Sequence, residues 1–177
     1  MAKRWLTRRW LKGGTLLLLF ATPVFAVAVH AAADVTFYAQ AAEGGLAEIE
    51  AGRLAQQKAS SAAVREFATQ MVTAHTRTYE ELKAIAMKHG LQVPAKPAVA
   101  DAAKLKVIES LEGERFDATY VKGRAAGHEN MLGLLQKELA IGTDEDAQAF
   151  AMKILPDVKM HLEMVRKLEQ GASGTPH

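Results

Sequence analysis

Cysteine is absent from the sequence, which excludes disulfides, zinc-thiolate sites, iron–sulfur clusters and a thiol nucleophile. Any chemistry must use nitrogen, oxygen or thioether sulfur. Catalytic loops are absent too: the chain holds no Gly-rich phosphate loop, HExxH, G-x-S-x-G or EF-hand loop. An enzymatic role has no motif to rest on. Runs of β-branched residues at period two are also missing, so no strand is expected.

Acidic residues are absent before Asp34, where the basic residues Lys3, Arg4, Arg8, Arg9 and Lys12 precede an apolar run from Thr15 to Val29. With the small residues Ala31, Ala32 and Ala33 behind it, residues 1–33 read as a secretory signal peptide. The run is short for a spanning helix, which needs ~20 residues. Membrane contact is therefore expected only through this leader, if it stays uncleaved. The formal charge of +2 is misleading, since the leader carries five of the 22 basic residues and none of the 20 acidic ones. The mature chain is slightly acidic and has no basic cluster, which argues against nucleic acid as a partner.

Residues 34–170 read as four amphipathic helices. The first is expected to open at Asp34 as N-cap and run to about Ala59, with Phe37, Ala41, Gly44, Glu48, Ala51 and Ala55 on one face. Ser60 and Ser61 cap a second, whose stripe holds Val64, Ala68, Met71, His75, Tyr79, Leu82 and Ala86 and which ends at Gly90. A third runs from about Glu114 to Ala140 with Phe116, Tyr120, Arg124, His128, Met131, Leu135 and Leu139 near one face. A fourth starts at Thr143 or Asp144, carries Ala147, Phe150, Ile154, Val158, His161, Val165 and Leu168, and reaches about Gln170. Residues 171–177 form a small polar tail. The first and last pairs are joined tightly. The segment between the second and third helices is long, contains Pro94 and Pro97, and has room for a short helix around Asp101 to Ser110. The expected fold is therefore all-α: a ferritin-like four-helix bundle with a long crossover between the second and third helices. A plain up-down-up-down bundle with a decorated loop is the alternative. Phe67-Ala68 and Met71-Val72 echo Phe150-Ala151 and Ile154-Leu155, either as a hairpin repeat or through the shared needs of two core-facing helices.

Three histidines stand out. His75, His128 and His161 each sit on the apolar stripe of a different helix, about 14, 14 and 17 residues from its start, so all three fall near mid-height. Neutral imidazole is a common ligand for zinc, copper and iron, and three converging rings leave room for a fourth donor. Glu48, near the middle of the first helix, is the leading candidate, because an unpaired carboxylate is costly to bury there. Met71, Met131 and Met164 form a second donor set, each one turn from a histidine on its own helix, and thioether with imidazole favours copper. The competing interpretation is a buried histidine–carboxylate or histidine–tyrosine network, with Tyr79 and Tyr120 available. Glycines 44, 45, 123 and 127 lie inside helices at about 1 kcal/mol each against alanine, so they serve close approach or space beside Glu48 and His128. Pro156 removes one helical hydrogen bond a turn before His161.

These residues also carry a resemblance. Ala41-Ala42-Glu43-Gly44-Gly45-Leu46-Ala47-Glu48, Lys58-Ala59-Ser60-Ser61, Phe67-Ala68, Met71-Val72, His75, Tyr120, His128, Phe150-Ala151, Leu155-Pro156-Asp157 and His161-Leu162 together resemble the exported bacterial family known as domain of unknown function 4142. The resemblance implies a periplasmic or envelope-associated bundle and no settled activity. Di-iron carboxylate bundles place Glu-x-x-His on two helices. Here Val72, Ala125 and Val158 stand three residues before the histidines, which removes that centre.

Two functions follow from the residues. The first is a periplasmic metal-binding module holding copper or zinc, with iron third, through His75, His128 and His161 with Glu48 or the methionines. The second is a metal-free structural or partner-binding envelope protein, whose partner would be another envelope protein or a second copy of the chain.

Overall fold

The computed structural model describes the backbone of residues 24–173 and the side chains of residues 34–171. The basic part of the expected leader lies outside the described residues. Five helices are present, α1 Val24–Lys58, α2 Ala62–Lys88, α3 Val99–Glu109, α4 Gly113–Ile141 and α5 Glu145–Ser173, and there is no strand among the described residues.

Local chemistry sets the helix ends. Ser61 has extended backbone and its hydroxyl accepts the Val64 amide at 3.4 Å, which caps α2. At the other end Gly90 takes φ 69, which lets the Gly90 amide reach the Met87 carbonyl and the Leu91 amide reach that of Ala86. Asp144 opens α5 by accepting the Ala147 amide at 3.0 Å. The expected start of the first helix is corrected. α1 begins at Val24, so Asp34 lies within it, and its carboxylate serves a different helix end. Pro156 is accommodated inside α5, which continues through Gly171 to Ser173.

Contacts between the helix ends fix the topology. Ser60, in the α1–α2 turn, bonds Asp117 near the start of α4, and Lys58 bonds Glu112 just before it. His89, at the end of α2, meets Asp144 and Asp146 at the start of α5. α2 therefore ends at the opposite end of the bundle from where α4 begins, and the intervening chain with α3 must run its length. Two antiparallel hairpins, α1/α2 and α4/α5, pack through α1 against α4 and α2 against α5, while α3 lies on α1 and α4. This is the crossover arrangement rather than the up-down-up-down alternative.

The apolar core divides in two. One cluster, near the α1–α2 turn, includes Ala55, Val64, Phe67, Met71, Phe116, Tyr120 and Val165. The other, near the α4–α5 turn, includes Phe37, Tyr38, Leu82, Leu135, Phe150 and Val158.

The two hairpins are also reciprocal. Asp117 accepts the Ser60 amide at 3.0 Å, the Ser60 hydroxyl at 2.6 Å and the Ser61 amide at 2.8 Å. Asp34 accepts the Thr143 amide at 3.0 Å and its hydroxyl at 2.7 Å. Each hairpin thus ties down the turn of the other. Asp34 and Asp117, Thr36 and Thr119, Phe37 and Tyr120, Gly44 and Gly127, and Ser60 and Thr143 recur at one constant spacing. Phe67-Ala68 and Phe150-Ala151 fall at the same spacing. The echo in the sequence therefore has a structural counterpart, a near-twofold relation between hairpins.

Candidate metal centre

Between the two apolar clusters lies a polar layer to which α1, α2, α4 and α5 all contribute. Glu48 comes from α1, His75 from α2, Arg124 and His128 from α4 and His161 from α5. Glycine makes room for it: a Cβ added to Gly127 would lie 2.6 Å from Glu48 Oε1. The equivalent Gly44 admits Met131, whose Cε would lie 2.9 Å from an added Cβ. Gly45 and Gly123 make no such approach.

The three histidines converge. Their ring centroids form a nearly equilateral triangle with sides of 5.4, 5.6 and 5.5 Å. One nitrogen from each ring can be chosen so that all three lie within 4.8 Å of one another. An ion ~2.0 Å from each of three nitrogens holds them about 3.3 Å apart in tetrahedral geometry, so the rings need only a small inward shift to close on one. All three residues are buried, His128 most completely.

A hydrogen bond fixes the tautomer of one ring. His128 Nδ1–H donates to the Arg124 carbonyl at 2.8 Å, which leaves its Nε2 lone pair facing inward. That Nε2 lies 3.4 Å from His75 Nε2. His161 Nδ1 is buried with no hydrogen-bond partner. Burial pushes the His75 imidazole down to about 4, although the Glu48 carboxylate opposes the shift. Burial, aided by His128, also lowers His161 to about 4. Both rings are neutral at neutral pH, the form that coordinates metal.

Glu48 occupies a different place from the three rings. Its Oε1 lies 3.1 Å from an Arg124 guanidinium nitrogen and 3.8 Å from His128 Nδ1, behind the ring rather than at the point of convergence. Burial alone would raise its carboxyl, but Arg124, followed by His128 and His75, holds it below the usual value. Its Oε2 has no partner.

The methionines are divided. Met71 is fully buried in the cluster nearer the α1–α2 turn, and Met164 packs on that cluster. Met131 packs on the other cluster and lines two cavities that His75 also lines. Tyr79 does not join the layer, since its hydroxyl donates to the Pro94 carbonyl at 3.0 Å. Tyr120 is fully buried with an unpartnered hydroxyl, and the Arg124 guanidinium lies 5.8 Å from its ring centroid.

Arg124 is the site residue that sequence reasoning missed. It stands on the expected apolar stripe one turn before His128, where an arginine needs a buried anion. Paired with Glu48, it gives the layer an ion pair with no net charge beside the three rings.

A cavity of ≈ 610 Å³ between α1, α3 and α4 reaches this layer and is lined by Glu48, His75, His128, Tyr120 and Arg124 among others. On the other side, a space of only ≈ 30 Å³ is lined by His75, His161 and Met131.

Comparison with known proteins agrees on the fold. Residues 21–168 match the family model described as Domain of unknown function (DUF4142). Among curated proteins none matches the chain. Two crystal structures share the fold. A DUF305 protein of Streptomyces coelicolor, described as a candidate secreted protein, has a TM-score of 0.68 at 12% identity, covering 82% of this chain and 96% of its own. A DUF305 fragment from Deinococcus radiodurans has a TM-score of 0.67 at 12% identity, covering 81% of this chain and 97% of its own. At that identity the likeness shows the fold alone. No helix among the described residues is long and apolar enough to cross a membrane.

Proposed function

On the premise that the chain belongs to the DUF4142 family, which supplies no activity to carry over, we propose that it is an exported protein binding one transition-metal ion through His75, His128 and His161. The carrying observation is the convergence of three buried ring nitrogens within 4.8 Å, including a ring whose Nδ1 has no partner in the protein. A buried polar nitrogen left unpaired costs about 1–3 kcal/mol. A closed structural network would give every ring an acceptor, and His161 Nδ1 lacks one.

Three neutral imidazoles suit zinc and copper ahead of iron. Met131 is the methionine best placed to assist, because it borders both cavities beside His75. The Arg124 carbonyl orients His128, and the Glu48 carboxylate behind the ring polarises it. Export rests on the basic–apolar leader and places the site in the periplasm or envelope.

Elemental analysis of the mature protein isolated from the periplasm tests the proposal, with a His161→Ala variant purified alongside and its helicity checked by circular dichroism. Near-stoichiometric zinc or copper in the native protein, lost from a variant that remains helical, is the expected result. A chelator should also lower the melting temperature of the native protein alone, since a ligand held at 100 times its Kd adds about 2.7 kcal/mol. Trace metal in both proteins, even after zinc and copper are added, would leave the metal-free bundle standing.

A further inference from the structure

We infer that the ion in this centre takes a small anion as its fourth ligand, admitted through the cavity between α1, α3 and α4; the inference rests on the metal-binding reading above. Charge provides the first argument. Three coordinating imidazoles are neutral, the buried carboxylate beside them, Glu48, is already neutralised by Arg124 at 3.1 Å, and Asp157, one turn before His161, is exposed and lies 3.8 Å from Arg77. A divalent ion held by the triad would therefore bring two uncompensated positive charges into a buried layer. Burying such charge is costly unless an anion accompanies it. Among the described residues no carboxylate joins the convergent group, which consists of the three histidines.

Access provides the second. The cavity of ≈ 610 Å³ has His75 and His128 in its wall, whereas the space on the His161 side measures only ≈ 30 Å³. Its wall includes the glycines 44, 123 and 127, and a Cβ added to Gly123 would meet nothing within 4 Å. Space there is open rather than filled by a neighbouring helix.

The third argument is the unspent hydrogen-bonding capacity of the wall. Tyr120 Oη and Arg124 Nε are both buried and lack partners, and both residues line the cavity. Both are donors, since burial together with the Glu48 carboxylate raises the Tyr120 phenol and keeps it protonated. Two unpartnered donors behind the cavity wall favour negative charge in that space, and a buried centre admits only a compact acceptor, of the class of azide, formate or another short carboxylate.

The test loads the full mature protein with Co(II), whose visible absorption reports its coordination, and titrates it with azide. The expected result is a saturable change in the Co(II) bands that formate competes away. Gly123→Leu, which fills the cavity at a position open to a side chain, should retain Co(II) and weaken azide at least tenfold. Gly133→Leu lies on the same helix outside the cavity wall and should match the wild type. Bound Co(II) whose spectrum ignores azide would overturn the inference while leaving the metal site intact. Unchanged azide affinity in Gly123→Leu would overturn the route. Failure of Co(II), zinc and copper all to bind would overturn the reading beneath it.

Discussion

The two hairpins match where the chain must fold and differ where it carries chemistry. Asp34 and Asp117 each hold the opposite turn, and Gly44 and Gly127 each admit a side chain from the opposite helix. At mid-height the equivalences fail. Glu48 stands opposite Met131, Arg124 opposite Ala41, His128 opposite Gly45, His75 opposite Val158 and His161 opposite Thr78. One hairpin architecture therefore accepts small or apolar residues at the positions where its counterpart has charge and imidazole. Packing requirements explain the residues the hairpins share. They do not explain the histidine layer, which the fold could have replaced with the residues of its other half.

The largest expected effect comes from imposing that equivalence on the ion pair. Glu48→Met strands a buried arginine and Arg124→Ala strands a buried carboxylate, so each should cost about 3–5 kcal/mol. The double variant removes both charges and should cost clearly less than the sum, giving a coupling energy above about 1 kcal/mol. Urea denaturation of the four metal-free proteins measures the cycle. Simple additivity would mean that the two side chains do not depend on each other, and the polar layer would lose its claim to be a unit.

A smaller effect separates the layer from the α4–α5 end by the sign of its pH dependence. His75 and His161 fall from 6.5 to about 4 on folding. The unfolded chain then binds more protons across that window, and the stability these rings contribute above pH 6.5 is lost as pH falls toward 4. Glu138 behaves oppositely. Burial, followed by the charge of Asp34, raises it from 4.5 to about 7, so its contribution is present below pH 4.5 and lost as pH rises through 7. Ala55 stands at the equivalent position in the other hairpin. In the metal-free protein the two slopes oppose each other between 4.5 and 6.5. Glu138→Gln should uncover a steeper loss of stability toward acid, whereas His75→Gln with His161→Gln should uncover a loss toward neutral pH. Parallel profiles for both variants would remove the distinction between the two regions.

The fold was legible because its signals are local and repeated. Ser61, Gly90 and Asp144 announce helix ends through capping chemistry, and the spacing between Gly90 and Glu114 permits a crossover. Convergence of His75, His128 and His161 was legible too, because residues near mid-height meet whichever way the helices run. Asp34 was misread, since a good N-cap residue can also cap a turn distant in sequence, and only tertiary structure distinguishes the two uses. Glu48 was recognised as buried, but its partner was not. Arg124 shares its stripe with apolar residues, and periodicity records which face a residue occupies without recording the charge that meets it there. The cavity left no trace in the sequence beyond the glycines beside it.

Those glycines supply the smallest and sharpest comparison. Gly123 and Gly127 lie one turn apart in α4, and both sacrifice helix propensity. A Cβ at Gly123 meets nothing within 4 Å, so Gly123→Ala should recover about 0.5–1 kcal/mol and raise the melting temperature. A Cβ at Gly127 would lie 2.6 Å from Glu48 Oε1, inside the distance at which Cβ atoms are found. The same propensity gain is available there, but Glu48 must move, and with it the 3.1 Å contact to Arg124. Gly127→Ala should therefore lower the melting temperature and, in the metal-loaded protein, weaken metal affinity through the displaced carboxylate behind His128. Two identical substitutions one turn apart on one helix should thus have opposite signs. If both are stabilising, the Glu48 carboxylate is not fixed in its place behind His128.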